Sequence, residues 1–232
     1  MVIPLHDDNP TTTRPRVTVG LMIACTVVYV FQHLLLSREN TVELIYALGV
    51  IPALLTNPLL SDLAPIPPAL TVLTSMFVHG GFWHLAGNML YLWIFGNNIE
   101  DAMGHVRFVI FYILCGVAAV AAQVLPDPAS EVPMVGASGA ISGVLGAYML
   151  LYPRARVLLG LPLGFIIVQI GRYPAIWVLA AWFVMQLVMG SFAALSKTPG
   201  GVAFGAHIGG FVAGCLLVTV FKRRGVPLWR RW

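Results

Sequence analysis

Ser138, His207, His84 and Asn88 are residues whose types and spacing could do chemistry in this chain. A serine hydroxyl becomes a nucleophile when a histidine takes its proton, and amide or imidazole N–H groups can hold the oxyanion that follows. Ser138 lies in MVGASGAISG (134–143), which runs directly into the apolar VLGAYMLLY, so it opens a helix with unpaired backbone N–H groups beside it. His84 and Asn88 stand four residues apart and share one helix face. The nine acidic residues, Asp7, Asp8, Glu39, Glu43, Asp62, Glu100, Asp101, Asp127 and Glu131, all fall outside the apolar segments. A serine–histidine dyad is therefore the most that this site is expected to hold.

The elements that must position these side chains belong to a strongly apolar chain of 232 residues, 59% hydrophobic and 9% charged, with a mean hydropathy of +0.87. Apolar stretches near 20 residues recur, which predicts an all-α polytopic membrane protein. Six segments are able to cross a hydrocarbon layer: 17–36, 80–99, 106–125, 137–152, 174–195 and 201–221. The net charge of +4 is read as a topology signal and not as a nucleic-acid surface, because Lys and Arg flank the apolar runs. Eleven of the thirteen fall on one side of the six-span arrangement: Arg14, Arg16, Arg107, Arg154, Arg156, Arg172, Lys222, Arg223, Arg224, Arg230 and Arg231, against Arg38 and Lys197. Both termini are thus expected in the cytoplasm.

The domain plan that follows is a polar tail (1–16), a membrane domain (17–222) and a basic tail (223–232). Residues 37–79 form a long outer loop, interrupted by Pro52, Pro58, Pro65, Pro67 and Pro68, that is expected to lie in the interface. The apolar stretch 157–171 is too short and too rich in Gly and Pro for a seventh span, so it is expected as an interfacial or shallow loop. The polar, acidic start lacks the features of a cleaved leader, which makes the first span a retained one. Cys25, Cys115 and Cys215 occupy different apolar segments and are read as packing residues.

Depth brings the polar residues together. Counted from the cytoplasmic charged flank, Ser138, His207 and His84 lie about 22–24 Å up and Asn88 about 18 Å up, on three different helices. The fourth span rises only about 24 Å, so its start must be submerged in a hydrated pocket. Gly139 and Gly143 on that span, with Ala206, Gly210 and Gly214 on the sixth, repeat at intervals of four and let the two helices approach closely. Singly, each feature has a plain packing explanation; the shared depth points to chemistry. The absence of an H-E-x-x-H sequence, of a paired intramembrane aspartate and of an ionisable relay disfavours a zinc protease, an aspartyl protease and a proton-coupled transporter. No metal or cofactor is expected.

The sequence resembles the rhomboid intramembrane serine proteases. The likeness is carried by GASG around Ser138, AHIGGFVAG around His207, HGGFWHLAGNMLYLWIFG with His79, His84 and Asn88, and FGNNIED, YPRARV and GGVAFGAH at the span ends, over about residues 17–222. It implies a six-helix rhomboid fold, Ser138 as nucleophile, His207 as general base, and an oxyanion hole of His84, Asn88 and Gly136. It further implies cleavage of single-pass membrane proteins in or near the outer part of their membrane segment, in a bacterial-type plasma membrane. The alternative is a catalytically silent relative that binds transmembrane helices. Two positions depart from the family pattern: Leu70 and Thr71 replace a frequent Trp-Arg, and Ser142 stands where an aromatic often stacks on the histidine, so Ser142 is expected to bond within its own helix.

Overall fold

The computed structural model describes residues 2–164, 166–196 and 202–229 and is mostly helical; Lys197, Arg230 and Arg231 lie outside the described residues. Strand β1 (Ile3–Asp7) precedes α1 (Arg16–Val30), which widens into a π-helical turn at Phe31–Leu35. Four short helices then fold the 37–79 segment: α2 (Arg38–Leu48), α3 (Pro52–Thr56), α4 (Pro58–Ser61) and α5 (Pro68–Thr74). Prolines occupy the first turn of α3, α4 and α5, where the missing N–H costs nothing and the fixed φ seeds the helix. Helix α6 (Phe82–Tyr91) continues through a π turn at Leu92–Gly96 into α7 (Asn97–Met103). The remainder is α8 (His105–Val124), α9 (Ser138–Leu151), β2 (Arg156–Leu163), β3 (Ile166–Pro174), α10 (Ala175–Ser196) and α11 (Phe204–Phe221).

Among the described residues, four helices are long and apolar enough to cross a membrane: Arg16–Leu35, His105–Val124, Ala175–Leu195 and Phe204–Phe221. Their outward side chains, Ile23, Val27, Val106, Trp177, Phe192, Leu216 and Val220 among them, are exposed and apolar, as lipid contact requires. Helix α9 is different: Gly139 to Tyr148 is buried without interruption, so this short helix is the core that the others surround.

The all-α expectation is corrected by a three-stranded antiparallel sheet in the order β1-β2-β3. The stretch 157–171, expected as a loop, is a β-hairpin whose backbone polar groups are satisfied by pairing Arg156–Leu163 with Ile166–Pro174 around Gly164 at φ +63°. The polar tail is not free either, since Ile3 pairs with Gly160 and Asp7 with Val157.

The tail is also clamped by acids. Pro15 precedes α1 and offers no capping side chain, so Glu100 of α7 caps it from outside, accepting from Val17 N–H and Thr18 N–H at 2.8 Å each and from Thr18 Oγ at 2.7 Å. Asp101 accepts from the backbone N–H groups of Thr12 and Thr13 at 3.0 Å and from both hydroxyls. Asp7 accepts from Tyr148 of α9 at 2.5 Å and from Asn98 at 3.1 Å. At the same end of the bundle Arg223 N–H donates to Ala102 O and Trp229 N–H to Leu150 O, so the described parts of the N- and C-terminal segments and the hairpin gather on one face.

Candidate active site

Ser138 is the first residue of α9, preceded by Ala137 in helical conformation and by Gly136 at φ +116°. The N–H groups of the first turn have no acceptor within the helix, and the helix dipole adds partial positive charge there. Gly136 is held in place by its N–H to Ser75 O at 2.8 Å, while Val50 and Met134 exchange two backbone hydrogen bonds, which ties the outer helices to the turn before Ser138.

His207 sits in the first turn of α11. His207 Nε2 and Ser138 Oγ lie in hydrogen-bond contact at 2.8 Å, and His207 Nδ1 meets Gln186 Oε1 of α10 at 2.8 Å. The pair is joined across an unusually close helix contact. A Cβ placed on Gly210 would stand 2.0 Å from Gly139 O, and one on Gly214 1.9 Å from Gly143 O. Gly143 also faces Cys115 of α8, and Gly139 faces Ala119 and Ala206, so α8, α9 and α11 meet backbone to backbone at the height of the site.

The third helix contributes His84 and Asn88. A Cβ on Gly136 would lie 2.5 Å from His84 Nε2 and 3.6 Å from Asn88 Nδ2, so these three candidate residues are adjacent. Asn88 is 6% exposed and its Nδ2 meets no acceptor among the described residues. His79 packs edge-on against His84 with ring centroids 5.2 Å apart, and its carbonyl accepts from Gln32 Nε2 at 3.0 Å. Beside Ser138 opens a cavity of about 40 Å³, lined by Ser75 and Ser138 together with small and apolar residues such as Met76, Gly116, Ala119 and Ala206. That volume accommodates water.

Ser142 donates to Ser138 O at 2.7 Å, within its own helix. The aromatic neighbour of His207 comes instead from α10, where the Trp182 ring lies 5.9 Å away and tilted by 38°.

Sequence reasoning passes over three glutamines inside apolar runs. Gln32 in the π turn of α1 holds His79; Gln123 of α8 accepts from Ala206 N–H at 3.1 Å and so caps α11 from a neighbouring helix; Gln186 meets His207. The signal was available, since an amide within a span is as costly to leave unpaired as a serine or histidine.

Comparison with known proteins gives the family. The model of the Rhomboid domain matches residues 68–224. The mitochondrial rhomboid protein 1 of Saccharomyces cerevisiae is 32% identical over 152 residues, 63% of this chain and 40% of that protein. RHOMBOID-like protein 5 of Arabidopsis thaliana is 30% identical over 153 residues, 66% and 44% of the two chains, and the rhomboid protease GluP of Bacillus subtilis 40% over 78 residues, 34% and 15%. The chain spans less than half the length of these relatives. The matched region contains Ser138, His207, His84 and Asn88, together with the glycines that let α9 and α11 touch, and the chain is thereby an integral membrane protein of the rhomboid family.

Proposed function

We propose that this chain is a serine endopeptidase that cleaves single-pass transmembrane proteins in or near the outer part of their membrane segment. The observation that carries the reading is the 2.8 Å contact between Ser138 Oγ and His207 Nε2, made inside a helix bundle next to a cavity able to hold water. As His207 Nε2 takes the hydroxyl proton, Oγ attacks the scissile carbonyl carbon and its C=O bond becomes a C–O⁻. Asn88 Nδ2, His84 and the N–H of Ser138 donate to that oxygen, and the dipole of α9 stabilises its charge. The imidazolium returns the proton to the departing amine as the C–N bond breaks, leaving an acyl group on Oγ. A water activated by His207 then releases the carboxylic acid and restores the serine.

In this reading the chain crosses the bilayer six times, through α1, α6 with the π turn that follows it, α8, α9, α10 and α11, with both termini in the cytoplasm. The gathering of both terminal segments at one end of the bundle and the bias of basic residues support it. Peptide hydrolysis needs an extended substrate, so segments weakened by Gly, Pro or small polar residues are the expected targets.

The test is cleavage of a transmembrane reporter by the purified full-length chain in liposomes. Wild type is expected to cut it, whereas Ser138→Ala and His207→Ala lose cleavage and keep the thermal transition of the fold. Full activity in Ser138→Ala overturns the proposal, and failure of wild type to cleave or to react with a fluorophosphonate favours a silent helix-binding protein.

A further inference from the structure

We propose that Gln186 is a positioning residue for His207, so that the site is a serine–histidine–glutamine triad and not an isolated pair; this rests on the hydrolase reading above. With Oε1 accepting at 2.8 Å, Nδ1 of His207 carries the ring proton, and Nε2 is left with the lone pair that receives the proton of Ser138. The opposite tautomer would place an N–H against the serine hydroxyl and leave it without a base.

Three features of Gln186 fit this role. Its side chain is 4% exposed although it stands in α10, whose neighbouring Met185, Leu187, Val188 and Met189 are exposed. Trp182, one turn earlier on the same face, approaches the His207 ring at 5.9 Å, so two residues of α10 bracket the imidazole. An amide also suits its surroundings better than a carboxylate would. It orients the ring without bringing a permanent charge into the bundle, at the cost of a weaker hold on the transient imidazolium.

The titratable and charged groups facing His207 among the described residues are few. His84 of α6 acts on it through space, Ser138 of α9 is bonded to it, and α8 presents the neutral Gln123 at the start of α11. No acidic side chain of the described residues hydrogen-bonds to the ring, so the amide of Gln186 is the group that holds Nδ1.

The experiment compares the full-length wild type with Gln186→Leu and Gln186→Glu. The histidine ring nitrogens are followed by ¹⁵N NMR in micelles, and cleavage of a transmembrane reporter is followed in liposomes across pH. The Nδ1–H tautomer is expected for His207 in wild type and a mixture of tautomers in Gln186→Leu. In the leucine variant kcat falls on the order of 10- to 100-fold while KM stays within about two-fold. Gln186→Glu recovers activity lost in the leucine variant, and the acid limb of its pH profile moves up by roughly one to three units, because a carboxylate favours the protonated ring. A leucine variant with wild-type tautomer and wild-type kcat overturns the proposal. So does one that loses kcat with the tautomer unchanged, which makes Gln186 a packing residue. If wild type itself cleaves nothing, the hydrolase reading fails on its own, and the tautomer comparison still decides whether Gln186 positions His207.

Discussion

Substituting Gly214 by alanine tests whether the approach of α9 and α11 is what brings Ser138 to His207. The new methyl would stand 1.9 Å from Gly143 O and 2.5 Å from Gly143 C and Cα, all backbone atoms that no rotamer change can move. Reaching the 3.4 Å of ordinary contact requires the helices to part by about 1.5 Å at that level. His207 lies seven residues, roughly 10 Å, along the same helix, so even half of the displacement stretches the 2.8 Å hydrogen bond beyond bonding range. We therefore expect Gly214→Ala to lower kcat/KM on the order of 100-fold and to destabilise the fold by about 1–3 kcal/mol. Gly210→Ala, with Gly139 O at 2.0 Å, should act similarly, whereas Gly20→Ala, with nothing within 4 Å, should be neutral. Reporter cleavage in liposomes and thermal unfolding in detergent measure both quantities. Wild-type activity and stability in Gly214→Ala would show that the contact does not set the distance across the site.

Asn88→Ala removes a buried donor that meets no acceptor among the described residues, so it should lower kcat by about 10²–10³-fold with little change in KM or stability. Gly136→Ala demands a backbone angle of φ +116° from a residue with a Cβ that would strike His84 Nε2, so both activity and thermal stability should fall; wild-type values in both would refute the placement of these residues. Burial would raise the pKa of Asp101, yet the hydrogen bonds from Thr13 and Thr12 outweigh it and hold the carboxyl below its ordinary 3.8. Its contribution to stability is complete above that value and drains away as pH falls through the folded pKa, so hydrogen-exchange protection of Thr12 and Thr13 should drop below about pH 4 in wild type. In Asp101→Asn that pH dependence should vanish.

The parts of this architecture that are legible in the sequence are those governed by local pattern. Apolar runs near 20 residues mark α1, α8, α10 and α11, and the depth of each polar side chain along its run brings Ser138, His207, His84 and Asn88 to a common level. What escapes is set by partners distant in sequence. The hairpin has no alternating pattern, because Leu161, Ile167 and their neighbours are apolar on both faces, and β1 finds its partner about 150 residues away. Glu100 and Asp101 lie outside any apolar run and look like solvent-facing charges, yet they cap a helix and clamp a segment that precede them by more than 80 residues. The π turns at Phe31–Leu35 and Leu92–Gly96 leave no trace in composition. Gln186 is missed because attention to carboxylates as the orienting group hides a neutral acceptor that does the same geometric task.

The central claim is that Ser138 is made nucleophilic by His207. It is tested most directly by treating the full-length protein in liposomes with a fluorophosphonate and mapping the adduct by mass spectrometry. A single adduct on Ser138, absent in His207→Ala, is the predicted result. A wild-type protein that remains unmodified while a known serine hydrolase in the same vesicles is labelled, or one modified at Ser142 and not at Ser138, would contradict it.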